Sequence, residues 1–233
     1  MRLVRGIVVT LEGLLNIRIS RFPLEKFYAD FIEVANLELV SQARGILHIG
    51  AHLGLEAQDY SSRGKPAIFI EADPITFMKL EQHISIFKNQ SAYNYLLGDE
   101  DKTVRFFRAS NNSESSSVFE FSEKNKFLNV STTSEIEINM SRLDSKFGAS
   151  DLKDFDHWII DVQGAELLVL GGAGELLKLC KTLFIECSTD EFYVGGARWD
   201  EIVLFMRNSG FKYLISPGNI KHLNVIFFRN SVV

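Results

Sequence analysis

The hydrophobic and polar positions along the chain define two alternating kinds of segment. Runs of four to six apolar residues are typical of buried strands, and alternating patterns are typical of strands with one exposed face. The apolar runs predict strands at 46–49, 67–70, 92–97, 158–162 and 183–187. Alternating or short apolar patterns predict further strands at 103–108, 135–140, 213–215 and 224–228.

Segments with apolar residues at helical spacing lie between these strands. They predict helices at 52–62, 74–87, 165–170 and 199–208, after a helical region at 1–44 that is interrupted near Pro23. Asp73-Pro74 marks one helix start, because Asp caps free amides and Pro suits the first helical position. Strand and helix alternate, and the strands are apolar on both faces. This pattern predicts an α/β fold with a mostly parallel sheet and helices on both faces.

Residues 1–44 are predicted to form an N-terminal helical extension, and 45–233 a single globular domain. The apolar stretch at 1–19 contains Glu12 and precedes no small-residue cleavage pattern, which favours a packed helix over a signal peptide. An interfacial amphipathic helix is the alternative. The extension could serve as a homodimer surface or as a lid. No apolar run reaches the ~18 to 20 residues of a membrane span.

Composition narrows the function classes. The 233 residues include 46% apolar and 24% charged residues, as in ordinary globular proteins. A net charge of −5 argues against a broad nucleic-acid groove. The two cysteines, Cys180 and Cys187, match no disulfide framework or metal spacing, so we predict a reduced, cytoplasmic compartment.

A glycine turn follows the first predicted strand, with the sequence Gly50-Ala51-His52-Leu53-Gly54. Glycines between a strand and a helix let a ligand approach the backbone and the free amides of the helix. The dinucleotide pattern G-x-G-x-x-G is absent, and His52 occupies its middle position. The turn therefore favours a ligand without a pyrophosphate, and a purely structural turn is the alternative.

Two acidic positions strengthen the prediction of an adenosine site. Glu71 ends the second strand, 21 positions after Gly50, where a carboxylate can accept both ribose hydroxyls. Gly98-Asp99 follows the third strand, where Asp99 could accept from an adenine amino group. A ribose acceptor, a glycine turn and no phosphate cradle point to S-adenosylmethionine. No P-loop is present, which argues against an NTPase.

Several motifs together resemble one known family. HIGAHLG, IEADP, LLGDED, SSSVF, SRLDS and IDVQGAELLVLGGA occur in the order typical of FkbM-type S-adenosylmethionine-dependent methyltransferases, over roughly residues 45–215. The resemblance implies a Rossmann-like methyltransferase fold with a seven-stranded sheet whose last strand is antiparallel. It also implies O-methylation of a sugar, a surface glycan or a natural product. Within these motifs, Ala72 beside Glu71 belongs to the implied cofactor site.

Three residues depart from the family pattern. His48 stands where the family usually has an acid that holds the methionine amino group, His52 where Asn is common, and Gln163 where the pattern D-V-E-G-A-E has Glu. His48 and Gln163 support an alternative, a catalytically silent binding module. A nicotinamide-dependent oxidoreductase is a further alternative, disfavoured by the missing glycine fingerprint.

Asp161 and Glu186 are the predicted catalytic residues, because each lies at the carboxyl end of a central strand. Asp161 could act as a base toward a hydroxyl, and Glu186 could orient the acceptor. Structural roles are the alternatives: a helix cap for Asp161, and for Glu186 a buried acid paired with a loop amide or an arginine. With Asp190 nearby the two could hold Mg²⁺, but no tight ligand cluster requires a metal.

The predicted acceptor contacts come from two loops. Ser115, Ser116 and Ser117 match the serine loop of the family, and solvated loop serines are the alternative. Tyr193 and Arg198 lie in a glycine-containing loop that could close over a sugar. The histidines His83 and His222 are expected at the surface.

Overall fold

The computed structural model describes residues 24–123, 130–215 and 222–229. The predictions for 1–23 lie outside this part. The described residues form ten strands: β1 Ile46–Ile49, β2 Ala67–Glu71, β3 Gln90–Asn94, β4 Leu96–Gly98, β5 Lys102–Ala109, β6 Thr132–Arg142, β7 His157–Ile160, β8 Thr182–Ser188, β9 Phe211–Tyr213 and β10 His222–Arg229.

Seven of these strands form the central sheet in the order β3-β2-β1-β7-β8-β10-β9. β1 pairs in parallel with β2 and β7, and β8 continues the parallel set. β10 runs antiparallel to both β8 and β9. The predicted mostly parallel seven-stranded sheet with an antiparallel last strand is confirmed. Because β1 lies between β2 and β7 and is parallel to both, the carboxyl ends of these three strands meet at one edge of the sheet.

The helices are α1 Leu24–Gln42, α2 Ala57–Ser62, α3 Pro74–Ile84, α4 Leu143–Lys146, α5 Ala149–Leu152, α6 Glu166–Gly172 and α7 Trp199–Asn208, with a 3₁₀ helix at Gly174–Leu179. Asp73 accepts a hydrogen bond from the Ile75 amide, so the predicted cap of α3 is confirmed. The helix predicted from residue 52 begins later, at Ala57, because residues 52–56 are taken up by turns after the glycines.

A second sheet of three strands, in the order β4-β6-β5, flanks the central one. The prediction of one strand at 92–97 was wrong. The chain leaves the central sheet after Asn94, and Leu96 and Leu97 pair instead with Met140 and Ser141 of β6. The small sheet has its own apolar cluster around Leu96, Phe106 and Met140. Its long β5–β6 connection reaches the carboxyl edge of the central sheet.

The core lies on the central sheet, where β1 and β2 are buried along their whole length. Helix α1 packs on this core through Ile32 and Val40. The packed helix predicted for residues 1–19 lies outside the described residues. Among the described residues, no helix combines the length and the apolar character needed to cross a membrane. Cys180 and Cys187 are both buried and free.

Candidate active site

The glycine turn packs tightly against the loop that follows β7. Gly50 has a φ of +81°, and a Cβ there would lie 1.7 Å from the carbonyl oxygen of Asp161. Both the left-handed backbone and this contact exclude a side chain. Gly54 (φ +64°) is packed against the side chain of Leu80. Backbone packing therefore requires glycine at position 50, and this packing brings the turn beside Asp161.

Glu71 fixes the turn to the end of β2. Its Oε2 accepts from the His52 amide and its Oε1 from the Asp73 amide, both at 2.8 Å. Glu71 is buried, and this burial raises its pKa in spite of the two amide hydrogen bonds. Each carboxylate oxygen has two lone pairs, so each oxygen can still accept one more hydrogen bond.

A cavity lies at the carboxyl ends of β1, β2 and β7, and we call it the strand-end cavity. Its polar wall includes Glu71, Asp161 and Gln163. An apolar wall is formed by Tyr95, Leu96, Leu97 and Phe106. The cavity measures about 60 Å³. Small-molecule sites usually measure about 300 to 1,000 Å³, so this arrangement is a closed one.

Residues 110–117, which we call the cover loop, close the strand-end cavity. Asn112 and Ser113 have left-handed backbones (φ +57° and +70°). The ring Nε2 of His52 donates to the carbonyl oxygen of Asn112 (2.9 Å), and the Ser113 hydroxyl donates to Asp73 (3.3 Å). Two side chains from the cavity rim therefore hold the loop in place.

A buried ion pair anchors the base of the cover loop. Arg108, at the end of β5, donates from Nε and Nη2 to the two oxygens of Asp73 at 2.8 and 2.9 Å. The Asp73 side chain is 1% exposed. A bidentate pair of this kind has a fixed geometry. It joins the second sheet to the start of α3.

Three carboxylates, Asp161, Glu166 and Glu186, form an acidic cluster beside the cavity. One oxygen of each lies within 4.8 Å of the others. Burial and the neighbouring Glu186 charge raise the pKa of Asp161 well above its usual range. The same two causes, burial first, raise the pKa of Glu166 to about 7. Like charges in a desolvated site favour protonation, so the cluster can hold and exchange protons near neutral pH.

Gln163 connects the members of this cluster. Its Nε2 donates to Asp161 Oδ1 (2.6 Å) and to Glu186 Oε2 (2.8 Å). Gln163 has a left-handed backbone (φ +56°), followed by Gly164 (φ +97°). This backbone turns the amide toward the two carboxylates. A single neutral donor thus bridges two acids that would otherwise repel each other.

The other side of Gln163 is held by Tyr193 and Ser117. The Tyr193 hydroxyl donates to Gln163 Oε1 (2.6 Å) and lies 3.2 Å from the Ser115 carbonyl oxygen. The buried Ser117 hydroxyl donates to the Gln163 carbonyl oxygen (2.7 Å). Because Oε1 accepts from a hydroxyl, the amide nitrogen must face the acids.

His222 contacts the acidic cluster from β10. Its Nε2 lies 2.9 Å from Glu186 Oε1. The hydrogen bond to Glu186 raises the pKa of His222, which favours a cationic ring beside the carboxylate. The predicted surface position is accurate, since the side chain is 49% exposed. Its contact with Glu186 was not predicted, because only the antiparallel register of β10 creates it.

The acidic cluster fits a divalent cation poorly. Mg²⁺ prefers oxygen ligands in a near-octahedral arrangement. The Gln163 amide occupies the position between Asp161 and Glu186, and Glu166 Oε1 accepts from the amides of Val162 and Gly164. The acids therefore have protein donors, and we derive no step through a metal.

Comparison with known families identifies this arrangement. A family model described as the methyltransferase FkbM domain matches residues 48–213, more than half of the chain. The chain belongs to the FkbM methyltransferase family. The matched range begins at His48 and ends at Tyr213, so it includes the glycine turn, the cover loop and the acidic cluster. The predicted family is confirmed.

Solved structures resemble this FkbM chain only in general outline. Magnesium protoporphyrin IX methyltransferase from Synechocystis PCC 6803 with bound SAM is 11% identical, with 86% of this chain and 79% of that chain covered and a TM-score of 0.46. Precorrin-6y C5,15-methyltransferase from Geobacter metallireducens GS-15 is 11% identical, with 85% and 87% covered and a TM-score of 0.47. Comparison with curated protein sequences gave no match.

The structure brings six of the predicted cofactor residues of the FkbM chain to one cavity. The predicted cofactor residues that line the strand-end cavity are Gly50, His52, Glu71, Ala72, Asp161 and Gln163. The others lie elsewhere: His48, Ala51, Gly54, Gly98 and Asp99. The ring of His48 is buried in the core, 3.3 Å from the Tyr60 hydroxyl, and burial lowers its pKa. The carbonyl oxygen of Asp99 accepts from Arg142, and the Asp99 side chain lies beside Gly171.

The predicted acceptor residues of the FkbM chain have mostly structural partners. Ser116 lines the strand-end cavity, and its hydroxyl accepts from the Ala109 amide. The hydroxyls of Ser115 and Ser117 bond within the chain, to Asn111 and Gln163. Tyr193 positions Gln163. Arg198 directly precedes α7 and lies near Glu201, and it does not line the strand-end cavity.

Proposed function

We propose that this FkbM-family protein is an S-adenosylmethionine-dependent O-methyltransferase. The proposed acceptor is a hydroxyl group of a sugar, a surface glycan or a natural product. The observation that carries the proposal is that Glu71, at the end of β2, and Asp161, just after β7, both line one cavity, on either side of β1. An acid at the end of the second strand suits a ribose, and an acid at the end of β7 suits the reacting end.

The residues present fit the cofactor. The oxygens of Glu71 are oriented by two amides and keep free lone pairs for ribose hydroxyls. Leu96, Leu97 and Phe106 offer an apolar surface for a flat aromatic ring. The negative members of the acidic cluster suit a positively charged sulfur. When bound, S-adenosylmethionine supplies a methyl group attached to that sulfur.

The acidic cluster supplies the proton chemistry that O-methylation needs. A hydroxyl group becomes a better nucleophile when a base takes its proton, which is worth about 10²- to 10⁴-fold in rate. Asp161, with its raised pKa, is a stronger base than an ordinary aspartate. We propose that Asp161 or Glu186 receives the proton and that Gln163 keeps both oxygens in position. The partly exposed His222 offers Glu186 a route for proton exchange with solvent.

The closed strand-end cavity requires movement of the cover loop before a cofactor enters. At about 60 Å³, the cavity is smaller than a ligand site. Two hydrogen bonds hold the tip of the cover loop, from His52 to Asn112 and from Ser113 to Asp73. Ser115 and Ser117, at the end of the loop, are held separately by Tyr193 and Gln163. Exchange of the two tip hydrogen bonds with water costs little, so we propose that the tip opens and then closes over the bound cofactor. We also propose a cytoplasmic location, supported by the two free, buried cysteines.

Isothermal titration of the full chain with S-adenosylhomocysteine and with NADH tests the proposal. We expect S-adenosylhomocysteine to bind and NADH to leave the heat signal unchanged. Binding of NADH instead would replace the proposal with an oxidoreductase. Binding of S-adenosylhomocysteine without methyl transfer to any member of a sugar and polyketide panel would favour the silent module.

A further inference from the structure

A second cavity lies between α1 and the adjoining ends of β8 and β10, and we call it the α1 cavity. It measures about 400 Å³, which falls in the size range of small-molecule sites. Its polar lining consists of Lys26, Tyr28, Glu33, Glu186, His222 and Asn224. Ala29 and Leu223 add apolar surface. The cavity is thus large enough for a sugar ring and carries both donors and acceptors.

Tyr28 has a buried hydroxyl group that calls for a partner. The residue is 6% exposed and lines the α1 cavity. Within the described part of the chain, its hydroxyl oxygen makes no hydrogen bond. Buried polar groups are almost always paired, so an unpaired one at a cavity wall indicates a group that arrives with a ligand.

Glu186 connects the α1 cavity with the strand-end cavity. One of its oxygens lies 2.9 Å from His222, and both residues line the α1 cavity. The other oxygen accepts from Gln163, which lines the strand-end cavity. A ligand hydroxyl at Glu186 therefore lies next to the acidic cluster.

The other cavities are less suitable. The one beside Tyr193 and Gly196 also includes Glu186 but measures only about 20 Å³, too little for a sugar. The cavity on the second sheet, near Arg105 and Phe107, measures about 490 Å³ but includes neither Asp161 nor Glu186. Of these spaces, the α1 cavity alone combines size with access to the acidic cluster.

We propose that the α1 cavity binds the methyl acceptor and that the acceptor is a sugar. The Tyr28 hydroxyl bonds to one ring hydroxyl, and Glu33, which accepts from Asn224 (3.1 Å), presents its carboxylate to others. Ala29 and Leu223 contact the apolar face of the ring, and Glu186 faces the hydroxyl that is methylated. This inference rests on the proposed function and assigns α1 to acceptor binding.

Ligand-observed saturation-transfer NMR on the full chain, with S-adenosylhomocysteine present, tests the proposal. The probes are the methyl glycosides of glucose, galactose, mannose and rhamnose at millimolar concentration. We expect at least one to bind the wild type. Tyr28→Phe keeps the ring but removes the hydroxyl, and it should weaken binding about threefold to tenfold. Lys26→Ala, at an exposed position, should weaken binding without affecting folding.

Tyr213→Phe is the matched control. Tyr213 lies on β9, packs against Trp199 of α7 and lines no part of the α1 cavity. It should bind the probe as the wild type does. Binding unchanged in both Tyr28→Phe and Lys26→Ala would overturn the α1 cavity as the site. Titration with S-adenosylhomocysteine separates the two proposals. If that ligand binds but no glycoside does, only the acceptor inference fails, whereas loss of that ligand itself refutes the cofactor proposal.

Discussion

The Nε2 atom of Gln163 lies 2.8 Å from Glu186 Oε2, while the same nitrogen lies 2.6 Å from Asp161 Oδ1. One amide group thus joins the ends of two neighbouring parallel strands. A glutamate at this position, as in the family pattern, would add a negative charge to the acidic cluster. Gln163 instead supplies a donor, and Tyr193 fixes its orientation.

Gln163→Leu removes this donor without much change in volume. We expect a loss of about 2 to 4 kcal/mol in the free energy of unfolding at pH 8, since two charged acceptors lose a hydrogen bond. The loss should be smaller at pH 5 than at pH 8, because burial and the Glu186 charge raise the pKa of Asp161 and its carboxylate takes up a proton as the pH falls. Urea denaturation at both pH values measures it. Gln82→Leu, at an exposed position of α3, is the control and should change stability little. Equal losses at the two pH values would contradict the electrostatic explanation.

Glu71→Gln tests the ribose site. The substitution places an amide NH₂ group opposite the backbone N–H of His52 or of Asp73, and removes the negative charge. We expect S-adenosylhomocysteine to bind about 10- to 100-fold more weakly, as measured by isothermal titration. Glu81→Gln on the exposed face of α3 should leave affinity unchanged. Wild-type affinity in Glu71→Gln would remove Glu71 from the cofactor site.

Glu166 is expected to make stability depend on pH. Its pKa of about 7 in the folded state exceeds the ordinary value of 4.5. The folded state therefore binds the proton more tightly, and stability falls as pH rises from 4.5 to 7, by about 3 kcal/mol at most. In Glu166→Gln, the melting temperature should change less with pH across this window. The control Glu175→Gln, at an exposed position, should keep the wild-type dependence of the melting temperature on pH. The same unchanged dependence in Glu166→Gln would contradict a raised pKa of Glu166.

Arg108→Ala and Arg105→Ala compare a buried ion pair with exposed ones on the same strand. Loss of Arg108 leaves the buried Asp73 carboxylate without its partner, so we expect a loss of about 3 to 5 kcal/mol. Arg105, 64% exposed beside Glu120 and Glu135, should contribute less than about 1 kcal/mol. Chemical denaturation measures both. Similar losses in the two variants would show that the Asp73 pair does not anchor the cover loop.

Local sequence patterns predicted most strands of the central sheet and six of the residues that line the strand-end cavity. Apolar runs were enough to predict β1, β2, β7 and β8, because parallel strands are buried on both faces. Gly50, Glu71 and Asp161 could be predicted because each directly follows or ends a strand. Side chains at the carboxyl ends of adjacent parallel strands must converge.

Only the tertiary structure decided which side chains meet across long sequence separations. His222 reaches Glu186 through the antiparallel register of β10, and Tyr28 reaches the same edge because α1 packs on the sheet. His48 illustrates the opposite case. Its place in the glycine motif predicted a cofactor contact, but the alternation of side chains along β1 places the His48 ring in the core beside Tyr60. Sequence fixes where a strand ends, whereas packing and register determine what lies beside that end.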